Sequence, residues 1–145
     1  MLNFEMELKI KFNRKINKDI DYISPGGFSM VMNGREIGFD FMTHYGNVDK
    51  SDATLCEFWF KEPDVDSFEE LNNITEDELK NITSIKECYV YTGESDEEGS
   101  DLHEIEIKNI VFYVYNEDDE PTEIIIDHEV LNEYNRTLVA GTDYE

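Results

Sequence analysis

Lysine and arginine are scarce here: 12 in 145 residues against 35 aspartates and glutamates, a formal charge of −23 at neutral pH. A surface that grips DNA, RNA or an anionic membrane directly is excluded as an expectation, because the long-range field has the wrong sign. Cysteine is nearly absent. Cys56 and Cys88 are far apart, without CxxC spacing, and each sits in an apolar strand-like run, which predicts two buried thiols. No apolar run approaches the ~18 residues of a membrane span. The segment Met1–Phe12 alternates charge with apolar residues and has no apolar stretch of the signal-peptide kind. The expectation is a cytoplasmic chain with no membrane partner. On that reading the N-x-T triplets at Asn73, Asn81 and Asn135 are coincidental.

Apolar residues at 39% and aromatics at 12% are too many for an acidic disordered tail. A chain of this length without repeats or low-complexity tracts is expected to form one domain over 1–145. Residues 1–18 are net basic, +3, so the other 127 carry −26. Three stretches without a single Lys or Arg, 62–78, 94–106 and 117–133, hold 23 of the 35 acids.

The first strand is plain. Leu2, Phe4, Met6, Leu8, Ile10 and Phe12 share one face, and Asn3, Glu5, Glu7, Lys9 and Lys11 the other. A polar connection over 13–27 ends in the break Ser24-Pro25-Gly26-Gly27. Asn33-Gly34 then predicts a type I′ hairpin that pairs Met32 with Arg35, Met30 with Ile37 and Phe28 with Phe39. Residues 53–60 form a further strand, apolar on both faces, closed by Pro63. Capping boxes at Ser67–Glu70 and Thr75–Glu78 predict two short helices with Phe68, Leu71, Ile74, Leu79 and Ile82 inward. Strands over 85–92 and 102–115 follow. The second alternates until Asn109 and is then apolar on both faces, which predicts that half of it lies between two layers and the other half has one face in water; a bulge near Asn109 would bend and shorten it. A strand over 122–126 leads to a helix capped by Asp127, with Val130, Leu131, Tyr134 and Leu138 inward, ending near Gly141. The fold expected is α+β: a mostly antiparallel sheet of about seven strands with two or three short helices.

Catalytic signatures are missing. His44, His103 and His128 lie in no HExxH or Cys/His ligand pattern, and Ser29 and Ser51 lack the GxSxG elbow. The glycines form neither GxGxxG nor a P-loop. The turn from Glu94 has oxygens at loop positions one, three and five and Gly99 at six, but Ile105 stands where an EF-hand needs a bidentate Glu. No enzyme, no cofactor and no metal site are expected.

What remains is an acidic surface on a β-rich core. The turns 94–101 and 116–121 lie at opposite ends of one strand, roughly 45 Å apart at ~3.3 Å per residue. In size and charge the chain is similar to the small acidic inhibitors of phages and mobile elements, namely anti-restriction proteins, anti-CRISPR proteins and other DNA mimics. It also resembles immunity proteins that neutralise basic nuclease toxins. The resemblance implies a non-enzymatic binding protein that occupies the basic nucleic-acid-binding surface of a partner protein. The contacts expected are Asp64, Asp66, Glu69, Glu70, Asp96, Glu97, Glu98, Asp101, Glu117, Asp118, Asp119 and Glu120. Two alternatives stand beside it: an immunity protein specific for one toxin, and an accessory interaction module whose acidity serves only solubility.

Overall fold

The computed structural model describes residues 3–17, 21–40, 46–60, 64–65, 74–94, 104–115 and 120–141. In chain order its elements are β1 (Phe4–Phe12), β2 (Asp21–Met32), β3 (Arg35–Asp40), β4 (Gly46–Val48), β5 (Leu55–Phe60), β6 (Asp64–Val65), α1 (Glu76–Lys80), β7 (Ile82–Glu94), β8 (Glu104–Val114), β9 (Thr122–Ile125) and α2 (His128–Gly141). The class is α+β, but the strands divide into two antiparallel sheets. One has five strands in the order β4-β5-β1-β8-β9, the other four in the order β6-β3-β2-β7. Their inward residues make one core: Met6, Leu8, Ile10, Phe58 and Phe112 from the first sheet, Met30, Met32 and Ile37 from the second.

The alternation in β1 is realised in full. Its even-numbered residues from Phe4 to Phe12 are buried and its odd-numbered ones half-buried. The hairpin register is also as expected, with Met32 opposite Arg35 and Phe28 opposite Phe39. Asn33 and Gly34 adopt positive φ of 50° and 77° at the turn. Cys56 and Cys88 are buried free thiols.

Four expectations are corrected. Ser24-Pro25-Gly26-Gly27 does not break the chain; it lies inside β2. Pairing with β3 begins only at Gly27, so Pro25 is hydrogen-bonded territory on one side alone, and Gly26 is the extra residue of a bulge against β7. A proline lacking its N–H is tolerated at such an edge and bulge. The second correction is Ile82, which opens β7 rather than completing a helical stripe. The third is the start of β5, which opens at Leu55 rather than at residue 53, with Cys56, Phe58 and Phe60 inward and Leu55 and Trp59 on the other face. Finally, one sheet of about seven strands becomes two sheets, since strand order is not encoded in local periodicity, and β4 and β6, of three and two residues, add edge strands too short to leave a periodic signal. The box at Ser67–Glu70, Pro63 and the turns 95–103 and 116–119 lie outside the described residues.

The Thr75 capping box is present. Thr75 Oγ1 accepts from the Glu78 amide at 3.1 Å, and the Glu78 carboxylate accepts from the Thr75 amide at 3.0 Å. The same carboxylate receives Arg35 at 2.9 Å, fastening α1 to the hairpin. Asp127 caps α2 by accepting from the Glu129 amide at 2.8 Å. From α2, Asn135 reaches β8: its carbonyl accepts from the Ile107 amide at 2.9 Å and its amide donates to the Ile107 carbonyl at 3.1 Å. β9 pairs with β8 only from Val111 onward, so Asn135 completes the ladder where no strand reaches.

Candidate functional site

Because β1 turns its even-numbered residues inward, its glutamates and lysines face outward with every residue in register beside them. Three rows result on the outer face of the five-stranded sheet. The middle row is Trp59, Glu7, Val111 and Ile125 across β5, β1, β8 and β9. On one side lie Glu5, Tyr113 and Glu123; on the other, Asn47, Glu57, Lys9 and Asn109. Val111 is only 3% exposed yet does not belong to the core cluster, whereas Ile125 beside it is 57% exposed. The second face of β8 is thus buried at Val111, while its neighbour on β9 is open to solvent.

Trp59 and Tyr113 belong to the two strands flanking β1, yet their rings stack over it, with centroids 5.1 Å apart and planes 27° from parallel. The Trp59 Nε1–H donates to Glu5 at 2.8 Å, which fixes the indole. Burial, with the Glu5 carboxylate nearby, raises the Tyr115 phenol. Lys9 pairs with Glu57 at 3.0 Å. Glu7 and Glu123 have no ion-pair partner within 4 Å among the described residues. Burial, with the charges of Glu57 and Glu123 added, holds the Glu7 carboxyl above its usual range despite Lys9. Burial likewise raises the Tyr113 phenol, and Glu7 and Glu123 push it in the same direction. The face is thus an aromatic and aliphatic centre edged by four carboxylates, of which Glu7 and Glu123 are in no ion pair among the described residues.

The residues singled out from the sequence are placed less completely. Asp64 lies in β6, paired with Asp40 at the edge of the other sheet. Glu120 is exposed just before β9. Asp66, Glu69, Glu70, Asp96, Glu97, Glu98, Asp101, Glu117, Asp118 and Asp119 lie outside the described residues. A bulge lies near Asn109, since the register against β1 shifts between Asn109 and Ile107 and again between Glu106 and Glu104. β8 itself has 11 residues, about 36 Å at ~3.3 Å each, so it spans less than the sequence suggested.

Other candidate chemistry is sparse. His128 is the exposed first residue of α2, and His44 and His103 lie outside the described residues. No group of three or more metal-binding side chains occurs among the described residues. A groove of about 240 Å³ between β7 and α2 is lined by Ser84, Ile85, Lys86, Val130, Glu133 and Tyr134. Among the described residues no helix is long and apolar enough to cross a membrane. Comparison with protein-family models, curated proteins and solved structures gives no match to this chain.

Trp59 and Tyr113 were the functional residues least visible in the sequence. The signal for them was the run of apolar residues on both faces of the strands around 55–60 and 110–115. Only the strand order puts those two runs on either side of the Glu5–Glu7 segment.

Proposed function

We propose that this chain is a non-enzymatic inhibitor that covers the basic nucleic-acid-binding surface of a partner protein. The observation that carries this reading is the outer sheet face, where an aromatic centre and uncompensated carboxylates occupy neighbouring register positions. Aromatic centres supply most of the residence time of protein interfaces. Charge of one sign speeds encounter with the opposite sign and disfavours other partners. Nucleic-acid sites present Lys and Arg to a phosphate backbone, so a surface with the same sign as that backbone competes for the same groups. The acidic stretches at 94–101 and 116–120 precede and follow β8 in the chain and add charge of the same sign.

The test is recovery of the partner from host extract at low salt, followed by competition with DNA and RNA. The expected partner is a basic protein whose nucleic-acid binding falls in proportion to occupancy, with an association rate that drops as salt rises from about 50 to about 200 mM. A partner that binds nucleic acid equally well with this chain attached contradicts the proposal. Association indifferent to salt removes its electrostatic part, and would favour the solubility reading of the acidity.

A further inference from the structure

We infer that the outer face of the five-stranded sheet receives an arginine side chain of the partner, its guanidinium laid against the Trp59–Tyr113 pair and held by Glu7 and Glu123. This rests on the proposal that the partner is a basic protein. Of the four carboxylates in these three rows, two are committed: Glu5 accepts from Trp59, and Glu57 binds Lys9; Glu106, in the next row opposite Lys11, pairs with Lys108. Glu7 and Glu123 are the two without a cation. They stand on β1 and β9 with β8 between them, Glu7 opposite Val111 and Glu123 opposite Tyr113. Ideal strand spacing and rise place their Cα atoms roughly 12 Å apart. At that spacing, two glutamate side chains can both reach one guanidinium held between them.

The floor of the gap selects the occupant. Tyr113 and Val111 lie between the carboxylates, and Tyr113 continues into the stacked indole of Trp59. A planar guanidinium matches both parts, since it stacks on aromatic faces and donates to carboxylates in a fork. An ammonium is a hydrated point charge that uses the carboxylates but gains less from the ring faces. A divalent cation needs a shell of six or more close oxygens, whereas this floor is hydrocarbon. A second copy of the chain brings the same charge of −23 and is repelled.

The experiment titrates the full-length, ¹⁵N-labelled protein at low salt with an arginine-bearing Gly-Ser peptide, its lysine counterpart and its citrulline counterpart. The sequence has a single tryptophan, so the indole N–H resonance reports this site without ambiguity. The arginine peptide should move that resonance and the amides of Glu7, Val111 and Glu123. It should bind about tenfold more tightly than the lysine peptide, and citrulline should leave the spectrum unchanged. The double variant Glu7→Gln/Glu123→Gln should weaken the arginine peptide about tenfold and abolish its preference over lysine. Neutralising the turns 94–101 and 116–120 should leave the indole shift in place. Shifts confined to those turns, with the indole unmoved, overturn the inference while leaving the proposed function standing. Equal binding of arginine and lysine peptides at the indole also overturns it. If neither basic peptide binds, both the inference and the proposed function fail.

Discussion

Glu7 occupies a position that disfavours its own charge. Burial and the nearby charges of Glu57 and Glu123 raise its pKa from the ordinary 4.5, so the fold prefers the protonated form. That contribution to stability is present below the unfolded value and is lost as pH rises through the folded one. Glu7→Gln should therefore be more stable than the parent at about pH 7, with the gain vanishing below about pH 4. Denaturant titration at the two pH values checks this, and equal stability at pH 7 contradicts it. A substitution that stabilises the free protein and weakens partner binding is the pattern expected where function is bought at the expense of the fold. Asp49 and Asp52 behave oppositely. Asp49 accepts from Ser51 and Asp52 accepts from Thr54, and these bonds hold both carboxyls below their ordinary 3.8. Their contribution is present above the unfolded value and is lost as pH falls through the folded one. Asp49→Asn should thus cost stability at neutral pH and cost less in acid, read by the same titration.

At the scale of elements, two side chains join parts of the fold that the backbone leaves separate. Glu78 serves the capping box of α1 and the Arg35 bridge together. Thr75→Ala should cost about 1 kcal/mol. Glu78→Ala should cost roughly twice that, because it removes the half-buried Arg35 bridge together with the capping box. Asn135→Leu deprives both the amide and the carbonyl of Ile107 of their partners, at a cost of about 2 kcal/mol. Thermal unfolding orders these three variants, and an Asn135 variant as stable as the parent would mean that the ladder closes without α2. The same bonds engage the amide that a sugar would have to modify at Asn135.

Legibility in the sequence followed the regularity of the backbone. β1 and the β2–β3 hairpin keep strict alternation, and their faces and register could be read directly. β7 and β8 could not be read in the same way, because bulges interrupt them. Buried Ile85 and Cys88 are three residues apart, as are Ile107 and Ile110. In each pair one extra residue, Lys86 or Lys108, is inserted into the ladder. A spacing of three returns a side chain to the same face only across such a bulge. Pro25 misled for a related reason, since turn chemistry and bulge chemistry use the same residues. The charged face of β1 was visible, but its aromatic neighbours come from residues 59 and 113, and no local pattern predicts that pairing.

For the whole molecule, the net charge divides into two parts with different work. Most of the acids lie in cation-free stretches that set the long-range field. A few, Glu7 and Glu123 foremost, stand beside the aromatic pair at which we propose contact with the partner. The first part governs how fast a basic partner arrives, the second how long it stays. This division is the central claim, and it predicts that the two kinds of acid separate kinetically.

The most direct test is surface-immobilised kinetics of the recovered partner against three versions of the chain: the parent, Glu7→Gln/Glu123→Gln, and a form neutralised in the turns 94–101 and 116–120. The sheet-face variant should dissociate about tenfold faster with its association rate nearly unchanged, and the turn variant should associate more slowly with its dissociation unchanged. A sheet-face variant that dissociates at the parental rate would contradict the account.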